Sequence, residues 1–166
     1  GSAGLVTSLI VAGAKAKVVL VEKHRMGGDC LYTGCVPSKS IIRSGRIMSY
    51  IRRAADYGIV DAAGKVDFAA VMQRVQGVIE TIEPHDSPER FTSLGVDCMS
   101  GAARLISPYE VEVGGKIITT ESIVIASGAR PFVPPVPGLA EIDYLTSDNV
   151  WSLTELPPRL LVVGGG

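Results

Sequence analysis

The sequence predicts an α/β domain, in which a parallel sheet packs against helices and carries a small antiparallel β meander. An apolar helical stretch near the start is followed by residues 16–22, a β-branched run of the kind buried in parallel sheets. Two longer stretches in the first half have helical periodicity, and short β runs follow from residue 96. The 19 glycines and 10 prolines among 166 residues supply the turns that such a domain needs.

Length and charge limit the classes of function that we expect. A chain of 166 residues holds one domain with a real core. The net charge of −1 and the pI near 6.1 offer no positive field to nucleic acid or to an anionic membrane, so neither is expected as a partner. The apolar run at residues 5–14 is too short for a membrane span and is a poor signal peptide. We therefore expect a cytoplasmic protein.

The first elements have the order of a dinucleotide-binding fingerprint. Such a fingerprint consists of a strand, a G-x-G-x-x-G turn that opens a helix, and a second strand that ends in an acid. Gly1 and Gly4 would be its last two glycines, and Glu22, 18 residues after Gly4, would be its acid. Its first strand and first glycine precede Gly1, so we expect the chain to begin inside a longer protein. An expression remnant followed by an ordinary helix is the alternative interpretation.

Two helical stretches are predicted between the fingerprint and the β runs. The first covers residues 38–56 and begins close to a pair of cysteines. The second covers residues 67–94 and is interrupted at Pro84 and Pro88, because proline cannot continue a helix from within.

Short strands are predicted in the second half of the chain. They cover residues 96–99, 102–106, 109–113, 116–119 and 122–126. The Gly114-Gly115 pair between two of them indicates a hairpin. The last run leads to Gly128, where a glycine turn lets a ligand approach the backbone closely, although a plain turn after a strand is the alternative.

The C-terminal part of the chain predicts a domain boundary. The Pro-rich residues 132–138 close a first domain over residues 1–138, and residues 139–158 form a connecting segment in which Trp151 is expected to be a packing residue. Residues 159–166 are an apolar strand that runs into glycines, as at the start of a second dinucleotide-binding fingerprint. A plain strand with a glycine tail is the alternative.

Residues 27–39, GGDCLYTGCVPSK, contain two thiols with four residues between them. In an ideal helix, residues five apart are separated by about 7.5 Å of rise, whereas a disulfide needs its Cα atoms within about 7 Å. Cys30 and Cys35 can therefore form a disulfide only if the helix is distorted or begins between them. Gly34 gives the backbone this freedom, and Pro37 suits a first helical turn.

Three roles are open to this thiol pair. A thiol at a helix N-terminus, as expected for Cys35, has a lowered pKa, which favours redox chemistry. A metal site would have to recruit Cys98, His24 or His85, and the sequence has no second close pair. A purely structural role is the third possibility and is the one expected for Cys98.

Residues 27–39 resemble the redox-active disulfide motif of the FAD-dependent pyridine nucleotide-disulfide oxidoreductases, which include dihydrolipoamide dehydrogenase, glutathione reductase and mercuric reductase. Residues 125–131, IASGARP, resemble the second flavin-domain motif of this family, and residues 161–166 the start of its NAD(P) domain. Residues 84–87 and the Gly-Gly-Asp-Cys variant look most like the mercuric-reductase-like branch. The resemblance implies a Rossmann-like FAD-binding domain that is truncated at both ends.

The resemblance also implies roles for individual residues. Cys30 would be the interchange thiol that attacks the substrate, Cys35 would lie against the flavin ring as the charge-transfer thiolate, and Lys39 would lie near the flavin and tune it. The residues implied to bind FAD are Gly1, Ser2, Gly4, Glu22, Lys23, Gly28, Asp29, Cys35, Lys39, Gly101, Ala102, Ala126, Ser127 and Gly128. No metal ligand is expected. The family commonly has Asn at the position of Tyr32 and Thr at that of Ser127.

The implied function is that of an FAD-dependent NAD(P)H:disulfide or Hg(II) oxidoreductase, in which electrons pass from NAD(P)H to FAD, to the Cys30–Cys35 disulfide and then to a small-molecule substrate. The family's NAD(P) domain and its dimerisation domain with a catalytic His-Glu pair lie outside the sequence. We therefore expect a homodimeric full-length protein and no turnover by this chain alone. His24 and His85 are expected to be surface residues. The alternatives are an FAD- or nucleotide-binding redox sensor without turnover and a structural zinc domain.

Overall fold

The computed structural model describes residues 1–164, which contain five α-helices and five short strands. The helices are α1 (Ser2–Gly13), α2 (Gly28–Tyr32), α3 (Cys35–Arg52), α4 (Phe68–Ile82) and α5 (Pro88–Ser93). The strands are β1 (Val19–Glu22), β2 (Asp97–Ser100), β3 (Ala103–Ser107), β4 (Glu110–Val113) and β5 (Lys116–Thr119). Short 3₁₀ turns cover Ala54–Tyr57, Glu83–Asp86, Leu139–Glu141 and Val150–Ser152.

The strands β1 and β2 form a two-stranded parallel sheet. Val19 lies opposite Asp97 and Glu22 opposite Ser100, with α2 to α5 in the crossover between the two strands. The helices α1 and α5 cover this pair. Their contact buries a first core, which consists of Leu5, Met26, Phe91 and Val96 with Leu9, Ala12, Val18, Leu20 and Cys98 packed around it.

The helices α2, α3 and α4 enclose a second core. Leu31 and Val75 are almost fully buried there and pack with Ile79. The first turn of α4 is capped by Asp67, whose carboxylate accepts a hydrogen bond from the Ala70 N–H at 3.0 Å. This core anchors the short helix α2 and therefore the segment that carries the cysteines.

The predicted meander is confirmed. Strands β3, β4 and β5 form an antiparallel sheet, with Ala103 opposite Val113 and Val113 opposite Lys116. Gly114 and Gly115 form the two-residue turn with φ of +56° and +79°. Positive φ at both positions is what the tight hairpin turn requires, which explains why the glycine pair indicated it.

The predicted helices are confirmed with shifted boundaries. The predicted apolar helix near the start is α1, and the helix predicted over 38–56 begins earlier, at Cys35, and ends at Arg52. The interruption at Pro84 and Pro88 is a 3₁₀ turn between α4 and α5. None of the helices within residues 1–164 has the length and hydropathy needed to span a membrane.

Two predicted strands are wrong. Residues 122–126 and 159–163 have no ladder partner within the described residues and are irregular. A β-branched run reports only that a segment suits a pleated, half-buried surface, whereas a strand also needs a hydrogen-bonded neighbour. Val124 and Ile125 are 65% and 72% exposed. The last two glycines of the predicted second fingerprint, Gly165 and Gly166, lie outside the described residues.

Candidate functional site

The dithiol loop, residues 30–35, joins α2 to α3. Cys30 lies within α2, and Cys35 is the first residue of α3, so no single helix runs through both cysteines. Gly34 makes this break possible. A Cβ atom at Gly34 would lie 2.8 Å from the carbonyl oxygen of Asp29, so a larger residue would push α2 and α3 apart.

The two thiols influence each other's ionisation. Cys30 is half-buried, Cys35 is exposed, and both are free cysteines. The hydrogen bond to Cys35, together with burial, raises the pKa of the Cys30 thiol, while a hydrogen bond with Ser2 and the charge of Lys39 act in the opposite direction. Cys30 is therefore protonated at neutral pH in the dithiol form.

Tyr32 ties the dithiol loop to the turn after α4. Its hydroxyl donates a hydrogen bond of 2.6 Å to the Glu83 carboxylate, and the guanidinium carbon of Arg25 lies 3.5 Å from the centroid of its ring. Burial, the hydrogen bond to Glu83 and the charge of Glu83 raise the pKa of Tyr32 to about 12. The phenol is therefore a stable hydrogen-bond donor at all physiological pH values.

Trp151 ties the same loop to the C-terminal segment. The indole Nε1–H lies 2.8 Å from the carbonyl oxygen of Thr33 and 2.7 Å from that of Ser147. The Trp151 carbonyl in turn accepts a hydrogen bond of 3.2 Å from the Gln76 amide on α4. The expectation of a simple packing residue missed this contact, because Thr33 and Trp151 are 118 residues apart and no local pattern links them.

A cavity of about 420 Å³, here named the α1 cavity, opens at the N-terminal end of α1. It is lined by Gly1, Ser2, Ala3, Asp29, Ile125, Ala126, Ser127 and Gly128. All but Ala3 and Ile125 are among the predicted cofactor-binding residues, and each of these two adjoins a predicted one. Three separate parts of the sequence therefore meet where the unpaired N–H groups of a helix favour a negatively charged ligand.

Glycines keep the backbone close together around the α1 cavity. A Cβ at Gly28, where φ is +58°, would lie 2.4 Å from Gly1 Cα. A Cβ at Gly4 would lie 3.3 Å from Leu20 Cδ1, so this position packs α1 onto β1. The N-terminal end of α1 thus exposes its backbone with no bulky side chain over it. Such an exposed backbone fits the pyrophosphate of a dinucleotide.

Glu22 lies beside the start of α1, at the end of β1. One carboxylate oxygen is 3.3 Å from the Gly1 nitrogen, and the other accepts a hydrogen bond of 3.0 Å from the His24 N–H. Burial raises the pKa of Glu22, but the His24 bond and the Gly1 amine outweigh it, so the pKa is lowered and the group is ionised at neutral pH. An ionised carboxylate here can accept hydrogen bonds from ribose hydroxyls. The neighbouring Lys23 is exposed.

Gly101 and Ala102 follow β2 at the same edge of the sheet as Glu22. The Gly101 N–H donates a hydrogen bond of 2.9 Å to the Glu22 carbonyl, and the φ of Gly101 is +146°. Neither residue lines the α1 cavity. Their place at the sheet edge is close to the acid expected to bind ribose.

Lys39 lies one turn after Cys35 on α3 and is exposed. It lines a second cavity, of about 350 Å³, with Arg43 and with Arg74 from α4. It does not line the α1 cavity. Its charge nevertheless lowers the pKa of Cys30, which puts Lys39 within electrostatic reach of the thiol pair.

The remaining candidate ligands lie apart from this region. Cys98 on β2 is half-buried against the first core, and burial raises the pKa of its thiol. His24 and His85 are exposed, as predicted. No group of three or more His, Cys, Asp or Glu side chains within residues 1–164 is arranged to hold a metal ion.

The chain is similar to known proteins in both sequence and structure. The sequence profile of the family described as pyridine nucleotide-disulphide oxidoreductase matches residues 1–166. A mercuric reductase of Staphylococcus aureus is 35% identical over all of this chain and 31% of its own length. A dihydrolipoyl dehydrogenase of Mycoplasma pneumoniae is also 35% identical, over 37% of its length.

Among solved structures, the HOCl-induced flavoprotein disulfide reductase RclA of Escherichia coli is similar over 95% of this chain, with a TM-score of 0.70 and 26% sequence identity. The match covers 33% of that protein. The chain thus spans about a third of the length of the proteins it matches. The structural match supports the predicted fold class, a Rossmann-like domain with a small antiparallel sheet.

Proposed function

Because the chain belongs to the pyridine nucleotide-disulphide oxidoreductase family, we propose that it is the FAD-binding part of a flavoprotein reductase that uses Cys30 and Cys35 as its redox-active pair. One observation supports this most directly. Asp29, the residue before Cys30, lines the α1 cavity, and so does Ser2, whose side chain lowers the pKa of the Cys30 thiol. The proposed flavin site and the thiol pair are therefore adjacent.

The residues around the α1 cavity fit FAD. The N-terminal backbone of α1 at Gly1 and Ser2 would bind the pyrophosphate, and Glu22 would accept hydrogen bonds from the ribose. Asp29 and Ser127 would line the site from the opposite side. The proposed FAD-binding set as a whole is the one inferred from the sequence. When bound, FAD supplies the two-electron transfer from NAD(P)H.

The thiol pair would carry two electrons to the substrate. In the dithiol form, the Cys30 thiol loses its proton to a base and the thiolate attacks one sulfur of a small-molecule disulfide, which expels the other sulfur as a thiolate. Cys35 then attacks Cys30, which releases the second thiol and leaves the Cys30–Cys35 disulfide. Two electrons have then passed to the substrate. Hg(II) is the other proposed acceptor, in line with the mercuric reductase among the similar proteins.

The rest of the proposal concerns the whole protein. We propose that residues 1–138 form the FAD-binding domain, residues 139–158 a connecting segment and residues 159–166 the start of the NAD(P)-binding domain. The full-length protein would be a cytoplasmic homodimer, with neither nucleic acid nor a membrane as partner. Turnover by the 166-residue chain alone is not expected, because the nicotinamide site would lie beyond residue 158.

The test uses the full-length protein. We expect a yellow protein that oxidises NAD(P)H in the presence of a disulfide or Hg(II), and a loss of at least 100-fold in kcat in both Cys30→Ser and Cys35→Ser, because each thiol takes part in the same exchange. The Cys98→Ser variant is the control and should keep its activity. A colourless full-length protein would contradict the proposal.

The alternative is a redox sensor that binds FAD or another nucleotide. It is favoured if the full-length protein has a thiol that reacts rapidly near neutral pH but does not oxidise NAD(P)H with any acceptor.

A further inference from the structure

We propose that Tyr32 and Trp151 are positioning residues that hold the dithiol loop in the geometry in which Cys30 and Cys35 meet. The inference rests on the proposed redox function of the thiol pair. It concerns two residues outside the proposed cofactor site. Tyr32 is one of the four residues between the cysteines and bonds to Glu83, whereas Trp151 bonds to Thr33, so the two bonds tie this segment to different parts of the chain.

The bond of Tyr32 fixes the end of α2. Its hydroxyl reaches Glu83, 51 residues away, at 2.6 Å, and Glu83 begins the turn after α4. Arg25 holds the ring from the other side at 3.5 Å. A charge-assisted bond and a cation–π contact on one side chain leave the ring little freedom. The backbone at Tyr32, two residues after Cys30, is fixed with it.

The bond of Trp151 fixes the loop just before α3. Its indole N–H is shared between the carbonyl oxygen of Thr33, two residues before Cys35, at 2.8 Å and that of Ser147 at 2.7 Å. Thr33 follows the last residue of α2, where carbonyl groups lack partners within the helix. The Val150–Ser152 turn also accepts a hydrogen bond from Gln76 on α4 through the Trp151 carbonyl. Trp151 thus connects the loop to α4 through Gln76, in addition to the connection from Tyr32 to Glu83.

The other two residues between the cysteines, Leu31 and Gly34, are fixed by packing. Leu31 is 1% exposed in the second core, and Gly34 lies against the carbonyl of Asp29. Contacts from other parts of the chain therefore hold three of the four residues between the thiols, and the fourth, Gly34, is packed against the preceding helix. Because the segment is already held in place, little conformational entropy is lost when the disulfide forms. The effective concentration of one thiol for the other is therefore high.

The experiment measures this effective concentration. The purified protein is equilibrated with mixtures of reduced and oxidised glutathione, quenched with acid, alkylated, and analysed for the Cys30–Cys35 disulfide by peptide mass spectrometry. Each disulfide formed converts one oxidised glutathione into two reduced molecules. We expect Tyr32→Phe and Trp151→Phe each to lower the equilibrium constant for disulfide formation by roughly three- to tenfold, the effect of one hydrogen bond.

Two further variants separate positioning from general damage. Tyr57→Phe is the matched control, because Tyr57 is 69% exposed and lies outside the loop. It should leave the equilibrium unchanged. Glu83→Ala should reproduce the effect of Tyr32→Phe, and the double variant should be no worse than either single one, because both remove the same bond. If the variants acted only by lowering stability, the effects of Tyr32→Phe and Glu83→Ala would add in the double variant. Circular dichroism is used to check that each variant is folded.

The outcomes distinguish this inference from the proposed function. An unchanged or increased equilibrium constant in both Tyr32→Phe and Trp151→Phe overturns the positioning role, while the redox function stands. Additive effects of Tyr32→Phe and Glu83→Ala overturn the assigned partner of Tyr32. Failure of the wild-type protein to form the Cys30–Cys35 disulfide under any glutathione ratio overturns the redox function and the inference together.

Discussion

At the scale of single residues, the two cysteines are unequal. Cys30 is half-buried within α2, whereas Cys35 is exposed at the first position of α3. The hydrogen bond between them and burial raise the pKa of Cys30, so this thiol stays protonated at pH values where a free thiol begins to ionise. The reactivity of Cys30 therefore depends on the state of Cys35.

The first prediction concerns the pH dependence of this reactivity. Removal of the Cys35 thiol in Cys35→Ala eliminates the largest cause of the raised pKa, so the pKa of Cys30 falls and the thiolate fraction at a given pH rises. We expect the alkylation of Cys30 by iodoacetamide at pH 8 to be several-fold faster in the variant than in the reduced wild-type protein. Peptide mass spectrometry measures the rate, over pH 6 to 10.

Cys98 provides the internal control for this experiment. The pKa of Cys98 is raised by burial against the first core, and Cys35 has no part in it. Its alkylation rate should be the same in both proteins. An equal rate for Cys30 in both proteins would show that the thiol contact does not control its ionisation.

At the scale of elements, the sequence predicted correctly the features that a few adjacent residues determine. The interruption at Pro84 and Pro88 and the Gly114-Gly115 hairpin were both found, because proline and paired glycines restrict the backbone where they stand. The strand over 122–126 was predicted wrongly, because its apolar pattern says nothing about a hydrogen-bonded neighbour. The start of α3 at Cys35 was anticipated only as a break near Gly34, since the close approach to Asp29 is a tertiary contact.

The second prediction compares two glycines of the same region. In Gly34→Ala the new Cβ would lie 2.8 Å from the Asp29 carbonyl oxygen, so α2 and α3 must separate. We expect this variant to lower the free energy of unfolding by about 1–3 kcal/mol. Gly45, inside α3, has no atom within 4 Å of an added Cβ, so Gly45→Ala should raise the free energy by about 0.5–1 kcal/mol. Urea denaturation measures both.

The test is whether the two substitutions change the free energy of unfolding in opposite directions. Both substitutions add one methyl group to a glycine of negative φ, one at the N-cap of α3 and the other within it, so a general effect of alanine would give the same sign twice. A stabilised Gly34→Ala variant would mean that α2 and α3 are not held at the distance seen here. The effect of Gly34→Ala on the thiol contact can be followed in the same samples by alkylation of Cys30.

At the scale of the whole molecule, the candidate site is assembled from distant segments. The start of α1, the first turn of α2 at Asp29 and residues 125–128 form the α1 cavity. The sequence identified most of these residues through the order of its motifs. It did not identify Trp151, because a single indole N–H that reaches a backbone carbonyl 118 residues away leaves no pattern in spacing or composition.

The third prediction separates the proposed flavin site from the thiol pair. Glu22 lies beside the start of α1 and would accept ribose hydroxyls, and its carboxylate bonds to Gly1 and His24 rather than to the dithiol loop. Glu22→Gln keeps the shape and removes the charge, so the bonds to the ribose lose their charge-assisted part. We expect the Kd for FAD to rise roughly tenfold, as expected for about 1.4 kcal/mol. Flavin fluorescence measured during titration of the flavin-free protein gives the Kd.

The glutathione equilibrium of Cys30 and Cys35 should stay unchanged in Glu22→Gln, because the contacts that hold the dithiol loop involve other residues. Glu121→Gln is the matched control, since Glu121 is exposed and lies outside the α1 cavity. An FAD affinity that is equal in Glu22→Gln and wild type would remove Glu22 from the proposed site. A change in the thiol equilibrium of the flavin-free variant would mean that the two sites are coupled through the fold of α1 rather than merely adjacent.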